Sequence, residues 1–201
     1  MGNNKIKLQA GNRYHIYNRG INSCAIFTET TNYEHFLALY EKHIRSVADT
    51  FAWVLMGNHF HLAVRILKPE MFKDVEVEKL EKTINRAFSN LFNAYTKAFN
   101  KKYERTGSLF EHSFKRKLIP DLDYLKKMIL YIHDNPVHHG FCSHPLEYPW
   151  SSYLSYISLE SNKLQRLADS VFIDGDSNYR RWINDITSVD EIESWLTTQT
   201  C

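Results

Sequence analysis

Cysteine is scarce in this chain of 201 residues, and the three cysteines are far apart. Cys24, Cys142 and Cys201 provide neither the paired spacing of a zinc site nor a disulfide framework. Long apolar runs are also missing, since no stretch reaches the roughly 18 apolar residues that a transmembrane helix needs. The N-terminal segment lacks the apolar core of a signal peptide. We therefore expect a cytoplasmic protein without a membrane partner.

The chain also lacks a strong excess of charge of one sign. Its formal net charge is +2 and its sequence pI is near 8.3, which permits nucleic-acid binding without arguing for it. Two short stretches, NKKYER at 100–105 and FKRKL at 114–118, combine basic and aromatic residues. Such stretches fit either a nucleic-acid surface or an ordinary solvated face.

What the chain does have is an ordinary globular composition, with 43% hydrophobic and 24% charged residues. Its hydrophobic periodicity predicts, in order, strand, helix, strand, strand, helix, strand and helix. These predicted elements cover residues 13–20, 31–47, 51–56, 59–66, 77–100, 113–119 and 121–136. The first six match an α+β ferredoxin-like split βαβ sandwich, in which an antiparallel sheet carries its helices on one face. We expect this domain, with the seventh element added to it, to span residues 1–155 and a helical extension to span 156–201.

The stretch GNHFHLAV at 57–64 places two histidines on the second strand of a predicted hairpin with a two-residue turn. Such a turn fixes the strand register. One face then carries the apolar residues Phe51, Trp53, Leu55, Phe60, Leu62 and Val64. The other, outer face carries His59, His61, Ala63 and Arg65. Histidines two apart on a strand are about 7 Å from each other, close enough to share a metal ion. Two polar residues on an outer sheet face also occur by chance, and a metal site would need a third ligand.

The last predicted helix, DLDYLKKMILYIHDNP, has Asp121 as its N-cap and Pro136 as its stop. Its apolar stripe is formed by Leu122, Leu125, Ile129 and Ile132. At about 100° per residue, Tyr131 and Asn135 share a face that lies away from this stripe. They are either a surface tyrosine beside a C-terminal cap or a functional pair. For His133, nearer the core edge, packing is favoured over proton transfer.

Three stretches taken together, VLMGNHFHLAV, GSLFEHSFKRKLI and YIHDNPVHHGF with YPWSSY behind it, resemble one family. They are similar to the REP-associated tyrosine transposases, a branch of the single-tyrosine HUH transposases, over residues 12–155. The resemblance implies that His59 and His61 bind a divalent metal ion, Mg²⁺ or Mn²⁺. It also implies that Tyr131 is the nucleophile and that Asn135 completes or supports the metal site.

The resemblance implies a metal-dependent enzyme that cleaves and joins single-stranded DNA containing a hairpin. The reaction passes through a 5′-phosphotyrosine intermediate. We expect the protein to act as a monomer or homodimer. We predict that DNA phosphates are contacted by basic residues of the strands, namely Arg13, Arg19, Lys115, Arg116 and Lys117. The chain departs from the family at Gly57, where proline is common, and at 111–113, where Glu, His and Ser replace frequent Gln and Arg. The second departure removes an arginine that would face the DNA backbone.

Two other functions are compatible with parts of the sequence. A non-catalytic or host-recruited nucleic-acid-binding module could stack bases on Tyr14 and Tyr17 of the first strand. A replication or conjugation nickase of the wider HUH class often has the opposite order of tyrosine and histidines and carries further domains, neither of which fits here. The complete set of two histidines, a tyrosine and an asparagine favours the transposase, because a binding module has no need of it.

Overall fold

The first seven strands and α-helices follow one another along the chain in the predicted order. The computed structural model describes residues 6–73, 75–111 and 113–157. The strands are β1 Arg13–Arg19, β2 Ala48–Met56, β3 His59–Ile66 and β4 Lys115–Ile119. The α-helices are α1 Thr30–Ile44, α2 Leu80–Lys102, α3 Leu122–His138 and α4 Tyr153–Ile157. Short 3-10 helices lie at Ile21–Ser23, Pro69–Met71, Val77–Lys79 and Pro145–Glu147. Apart from its first residues, the helical extension predicted for 156–201 lies outside the described residues.

The four strands form one sheet in the order β2-β3-β1-β4. Every neighbouring pair is antiparallel, with β1 between β3 and β4. This order, with α1 following β1 and α2 following β3, is that of the ferredoxin-like split βαβ arrangement. The predicted α+β fold class is therefore confirmed. Within the described ranges, no helix is both long and apolar enough to cross a membrane.

The sheet separates two hydrophobic cores. The larger core lies between one sheet face and the helices α1 and α2, and its members include Tyr14, Ile16, Phe36, Leu55, Phe60, Leu62, Phe88 and Tyr95. The second core lies between the opposite face and α3, and its members include Phe51, Val54, Met56, Ala63, Met128, Ile129 and Tyr131. The face that carries the two histidines was expected to be an outer face. Instead α3 covers it, and His61 is only 7% exposed.

The β2–β3 hairpin has the predicted register next to its turn. Met56 lies opposite His59, and Val54 lies opposite His61. The prediction is wrong further from the turn, because a β-bulge between Thr50 and Ala52 shifts the pairing. Phe51 therefore turns to the α3 side of the sheet instead of the α1–α2 side.

Helix α3 begins as predicted, with the Asp121 side chain accepting a hydrogen bond from the Tyr124 backbone N–H at 2.7 Å. It does not stop at Pro136 but continues to His138. A proline this close to the end removes a single intrahelical hydrogen bond. The final turn is closed by the backbone N–H of Phe141, which donates to the Pro136 carbonyl at 2.8 Å.

The buried surface of α3 also differs from the predicted stripe. Leu122 is 50% exposed, whereas Tyr131 is 5% exposed and Asn135 only 1%. The helix packs its Tyr131 side on the sheet, and segment 148–156 covers another side through Tyr148 and Tyr153. Helix α3 is thus embedded between two surfaces, which a single-stripe analysis does not anticipate.

Candidate active site

His59 and His61 lie two residues apart on β3 and face α3, because alternate residues of a strand share one sheet face. Their ring centroids are 5.2 Å apart and the ring planes are nearly perpendicular, at 87°. The Oδ1 atom of Asn58 lies 2.6 Å from Nδ1 of His59, and Oδ1 of Asn135 lies 3.2 Å from its Nε2. Strand β3 and the last turns of α3 therefore bring two imidazoles and an amide together.

Tyr131 completes this group from α3. Its ring meets the His61 ring edge to face, with centroids 5.6 Å apart and planes at 85°. Asn135 follows four residues later, so both side chains point from the same side of the helix toward β3. The four residues singled out in the sequence, His59, His61, Tyr131 and Asn135, thus form a continuous set of contacts at the interface of α3 with the sheet.

Burial keeps both histidines uncharged. It lowers the pKa of His59 to about 4, against a smaller raising effect of the Asn135 amide oxygen, which can accept a hydrogen bond from the charged ring. Burial also lowers the pKa of His61 well below its ordinary value, and the nearby His15 and His59 lower it further. A neutral imidazole keeps one nitrogen lone pair, which is the form that binds metal ions.

The atoms around His59 fit a divalent cation. Because Nδ1 of His59 faces the Asn58 amide oxygen, its proton belongs on Nδ1 and the lone pair on Nε2. That lone pair faces a second acceptor, Oδ1 of Asn135, while Nδ2 of Asn135 is buried without a hydrogen-bond partner. Two adjacent ligands of an octahedral ion with bonds of about 2.1 Å are about 3 Å apart, close to the 3.2 Å found here.

The third donor in this group is an amide rather than a carboxylate or a further imidazole. Among the residues that the structure describes, no three His, Cys, Asp or Glu side chains converge in a way that could hold a metal ion. His59, His61 and the Asn135 amide oxygen therefore form the candidate ligand set, with open positions for water or phosphate oxygens.

A cavity of about 250 Å³ adjoins the histidines. It is lined by Tyr17, Asn18, Arg19, His59, His61, Glu111, Lys115 and His139. The Nζ atom of Lys115 lies 5.9 Å from the Tyr17 ring centroid, and Nε of Arg19 lies 3.8 Å from the Glu111 carboxylate. Two cations and one carboxylate line the cavity beside the two neutral imidazoles, so its charge is positive on balance and suits a phosphate group. A larger cavity of about 330 Å³ lies between α1 and α2, in contact with none of these groups.

Four of the five basic residues predicted to contact phosphates lie on the histidine side of the sheet, and Arg116 is the exception. Arg19 and Lys115 line the cavity, and Lys117 lies opposite His15 in the β1–β4 pairing. Lys117 is only 3% exposed, and burial together with the charge of Lys115 lowers its pKa to about 8. The cavity-lining pair is therefore better placed for DNA than Lys117.

The other two predicted phosphate contacts do not reach the cavity. Arg116 points to the opposite sheet face, where it donates a hydrogen bond to Asn85 of α2 and lies 4.4 Å from the Phe114 ring centroid. Arg13 lies at the far end of β1, opposite Arg65, and does not line the cavity. Alternation along β4 puts Arg116 on a different face from Lys115 and Lys117, a consequence that the sequence prediction overlooked.

His15, Glu111 and His139 were not predicted as site residues, and Tyr17 was considered only for base stacking in a binding module. His15 is fully buried and contacts His61, and Tyr17 and Glu111 line the cavity. His139, just beyond α3, has its ring centroid 5.1 Å from that of His59. Alternation in RYHIYNR places His15 and Tyr17 on one face, but only the pairing of β1 with β3 shows that this face meets the histidines.

No protein-family model matches this chain, and no curated protein matches it in sequence. In structure, the chain is similar to a REP-associated tyrosine transposase solved bound to a REP hairpin. The TM-score is 0.54 at 14% sequence identity, and the alignment covers 82% of this chain and 93% of that protein. A bacterial tRNA(His) guanylyltransferase-like protein in complex with ATP aligns at a TM-score of 0.44, with 12% identity over 67% of this chain and 62% of its own length. The chain therefore shares the fold of a tyrosine transposase.

Proposed function

We propose that the protein is a metal-dependent single-stranded DNA endonuclease and strand transferase of the REP-associated tyrosine transposase type, with Tyr131 as its nucleophile. The observation that carries this proposal is the contact of the Tyr131 ring with His61, 5.6 Å between centroids, beside the His59–Asn135 pair. In phosphoryl transfer, a tyrosine can act as the nucleophile while two neutral imidazoles and an amide oxygen bind a metal ion. A structural core has no need of this combination.

Tyr131 would attack a phosphodiester phosphorus. A bond forms between its phenolic oxygen and phosphorus, and the bond from phosphorus to the 3′ oxygen of the upstream strand breaks. The phenol loses a proton and the leaving oxygen gains one, so the products are a 3′-hydroxyl and a 5′-phosphotyrosine. A 3′-hydroxyl of another strand reverses the step and joins DNA without an external energy source.

A divalent cation held by His59, His61 and Asn135, Mg²⁺ or Mn²⁺, would polarise the scissile phosphate and offset its charge. The chain's own cations act beside it. Arg19 and Lys115 line the adjoining cavity and would hold the phosphates that flank the scissile one. The Tyr131 side chain is 5% exposed, which limits the access of bulk water to its ring.

The proposed substrate is single-stranded DNA with a hairpin, and two observations support it. The transposase of the same fold was solved bound to a REP hairpin. The cavity beside His59 and His61 is also lined by Arg19 and Lys115, whose charges suit the phosphates of a DNA strand. Of the two tyrosines considered for base stacking in a binding module, Tyr14 is 1% exposed and cannot stack bases, whereas Tyr17 lines the cavity.

The direct test is a search for the covalent intermediate. Single-stranded hairpin DNA taken from beside the gene and labelled at its 3′ end should give a labelled protein adduct that survives denaturation, in the presence of Mn²⁺. The same DNA labelled at its 5′ end should release a free labelled fragment with a 3′-hydroxyl. Tyr131→Phe should remove the adduct and keep DNA binding, because only one hydroxyl is lost.

The matched control is Tyr17→Phe, a tyrosine that lines the cavity but lies on the sheet. It should retain the adduct. An adduct that persists in Tyr131→Phe would show that another tyrosine is the nucleophile. Absence of any adduct with the native protein, on DNA that it binds, would support the binding module instead.

A further inference from the structure

His15, on strand β1, is a buried histidine that has no role in the proposed mechanism. Its Nε2 atom lies 2.9 Å from Nδ1 of His61, and the two rings are nearly parallel, with centroids 5.1 Å apart. His15 is 0% exposed and His61 is 7% exposed. The contact is therefore a buried hydrogen bond between two imidazoles, one of which is a candidate metal ligand.

Only one proton can occupy this hydrogen bond. The two ring nitrogens are 2.9 Å apart, so one of them donates and the other accepts, and a neutral imidazole has one N–H for either role. If His61 donates from Nδ1, its Nε2 keeps a lone pair. If His15 donates from Nε2, the proton of His61 must sit on Nε2, where it blocks metal binding. The direction of this bond therefore decides whether His61 can be a ligand.

We propose that His15 is a positioning residue that accepts the Nδ1–H of His61 and so presents the Nε2 lone pair of His61 to the divalent cation. This inference rests on the proposed function. Asn58 stands in the same relation to His59, since its Oδ1 lies 2.6 Å from Nδ1 of that ring. Each candidate ligand thus has its Nδ1 occupied by a neighbour, which is how outer-shell groups usually fix a metal-binding histidine.

The ring of His15 is itself held in place. It stacks on Tyr17 with centroids 4.6 Å apart and planes at 13°, and it meets the Tyr131 ring edge to face at 6.4 Å. Its Nδ1 atom is buried without a hydrogen-bond partner. An apolar side chain would fill the same space without burying an unsatisfied polar atom, so an imidazole here calls for a functional reason.

The first test measures metal affinity rather than activity. Mn²⁺ binding is titrated by the electron paramagnetic resonance of free Mn²⁺ in the native protein and in two variants. His15→Leu fills the space but cannot accept a hydrogen bond, and we expect Mn²⁺ affinity to fall roughly 10- to 100-fold. His15→Gln retains an acceptor at about the position of Nε2, and its affinity should stay within about threefold of native.

The matched control is His133→Leu, which removes another buried histidine, from α3, whose Nε2 is hydrogen-bonded to Ser152 at 2.7 Å. It should leave Mn²⁺ affinity unchanged even if it lowers the melting temperature. A loss of affinity in this control equal to that of His15→Leu, or native affinity in His15→Leu, would overturn the proposal.

The second test observes the proton directly. Long-range ¹H–¹⁵N spectra of metal-free protein labelled in its histidines distinguish Nδ1–H from Nε2–H rings. We expect His61 to carry its proton on Nδ1 in the native protein and to lose this preference in His15→Leu. A native His61 with its proton on Nε2 would overturn the proposal. Failure of the native protein to bind Mn²⁺ would refute the metal site of the proposed function, and this spectrum would still decide the role of His15.

Discussion

The Oδ1 atom of Asn135 on α3 lies 3.2 Å from Nε2 of His59 on β3, and with the His59 proton on Nδ1, next to Asn58, both atoms are hydrogen-bond acceptors. This pair joins the helix to the sheet at the point where Tyr131 meets His61. Two acceptors in contact are unfavourable unless a proton or a cation lies between them. The relationship therefore gives the candidate metal site its most direct test.

Asn135→Ala should weaken Mn²⁺ binding at least tenfold, because it removes one of three candidate ligands. It should cost little stability, since the Asn135 side chain caps no helix end and its Nδ2 has no partner. Mn²⁺ titration and urea unfolding of the same variant measure the two effects. Native Mn²⁺ affinity together with a large loss of stability would show that Asn135 is a structural residue only.

His59→Ala and His61→Ala should both abolish Mn²⁺-dependent cleavage, but they should differ in stability. His61 is buried and hydrogen-bonded to His15, so its removal leaves a cavity and a buried unpaired nitrogen, at about 2–4 kcal/mol. His59 lines the open cavity and its loss should cost about 1 kcal/mol or less. Urea unfolding of both variants beside a cleavage assay separates these contributions. Full cleavage by either variant would refute the metal assignment.

Lys115→Ala and Arg116→Ala form a matched pair of charge removals on neighbouring residues of β4. Lys115 lines the cavity, so its loss should lower single-stranded DNA affinity several-fold and reduce the salt dependence of binding by about one phosphate contact. Arg116 contacts Asn85 on the other sheet face, so its loss should lower stability and leave DNA affinity unchanged. Fluorescence anisotropy at several salt concentrations measures both. Equal losses of affinity would contradict the assignment of these residues to opposite faces.

His133 should make stability depend on pH. Burial lowers the pKa of His133 to about 3 in the folded protein, whereas an unfolded chain titrates near 6.5. Below pH 6.5 the unfolded chain binds a proton that the folded protein does not. The contribution of neutral His133 is therefore complete above pH 6.5 and is lost as the pH falls toward 3.

Replacing His133 removes its contribution to the pH dependence of the free energy of unfolding. Between pH 6 and 4, His133→Gln should reduce the fall in unfolding free energy by up to about 1.4 kcal/mol per pH unit. Urea unfolding at four pH values measures the slope, with His35→Gln, a change at an exposed position of α1, as the comparison. An unchanged slope in His133→Gln would show that His133 gains its proton in the folded state as well.

The parts of this site that the sequence predicts are the local ones. The pairing of Val54 with His61 follows from a two-residue turn, and the alignment of Tyr131 with Asn135 follows from helical spacing. Neither depends on distant parts of the chain. The packing role favoured for His133 is also confirmed, since its ring packs against Tyr153 and Tyr156.

The parts that the sequence does not predict depend on contacts between distant segments. His15 meets His61 only because β1 inserts between β3 and β4, which are remote from it along the chain. Phe51 changes face at a bulge for which the alternating pattern gives no warning. The buried state of Tyr131 depends on which side of α3 docks on the sheet, and a helix covered on two sides has no single apolar stripe to show it.

The two-sided packing of α3 also has a consequence for which part would move in the proposed strand-joining reaction. Swinging this helix away from the sheet would expose Met128, Ile129 and Ile132, which are all 0% exposed, at roughly 5 kcal/mol or more. In the proposed reaction, Tyr131 would therefore stay in place with α3. Exchange of one DNA end for another would then depend on movement of the DNA, with the 3′ end leaving and its replacement arriving at a fixed phosphotyrosine.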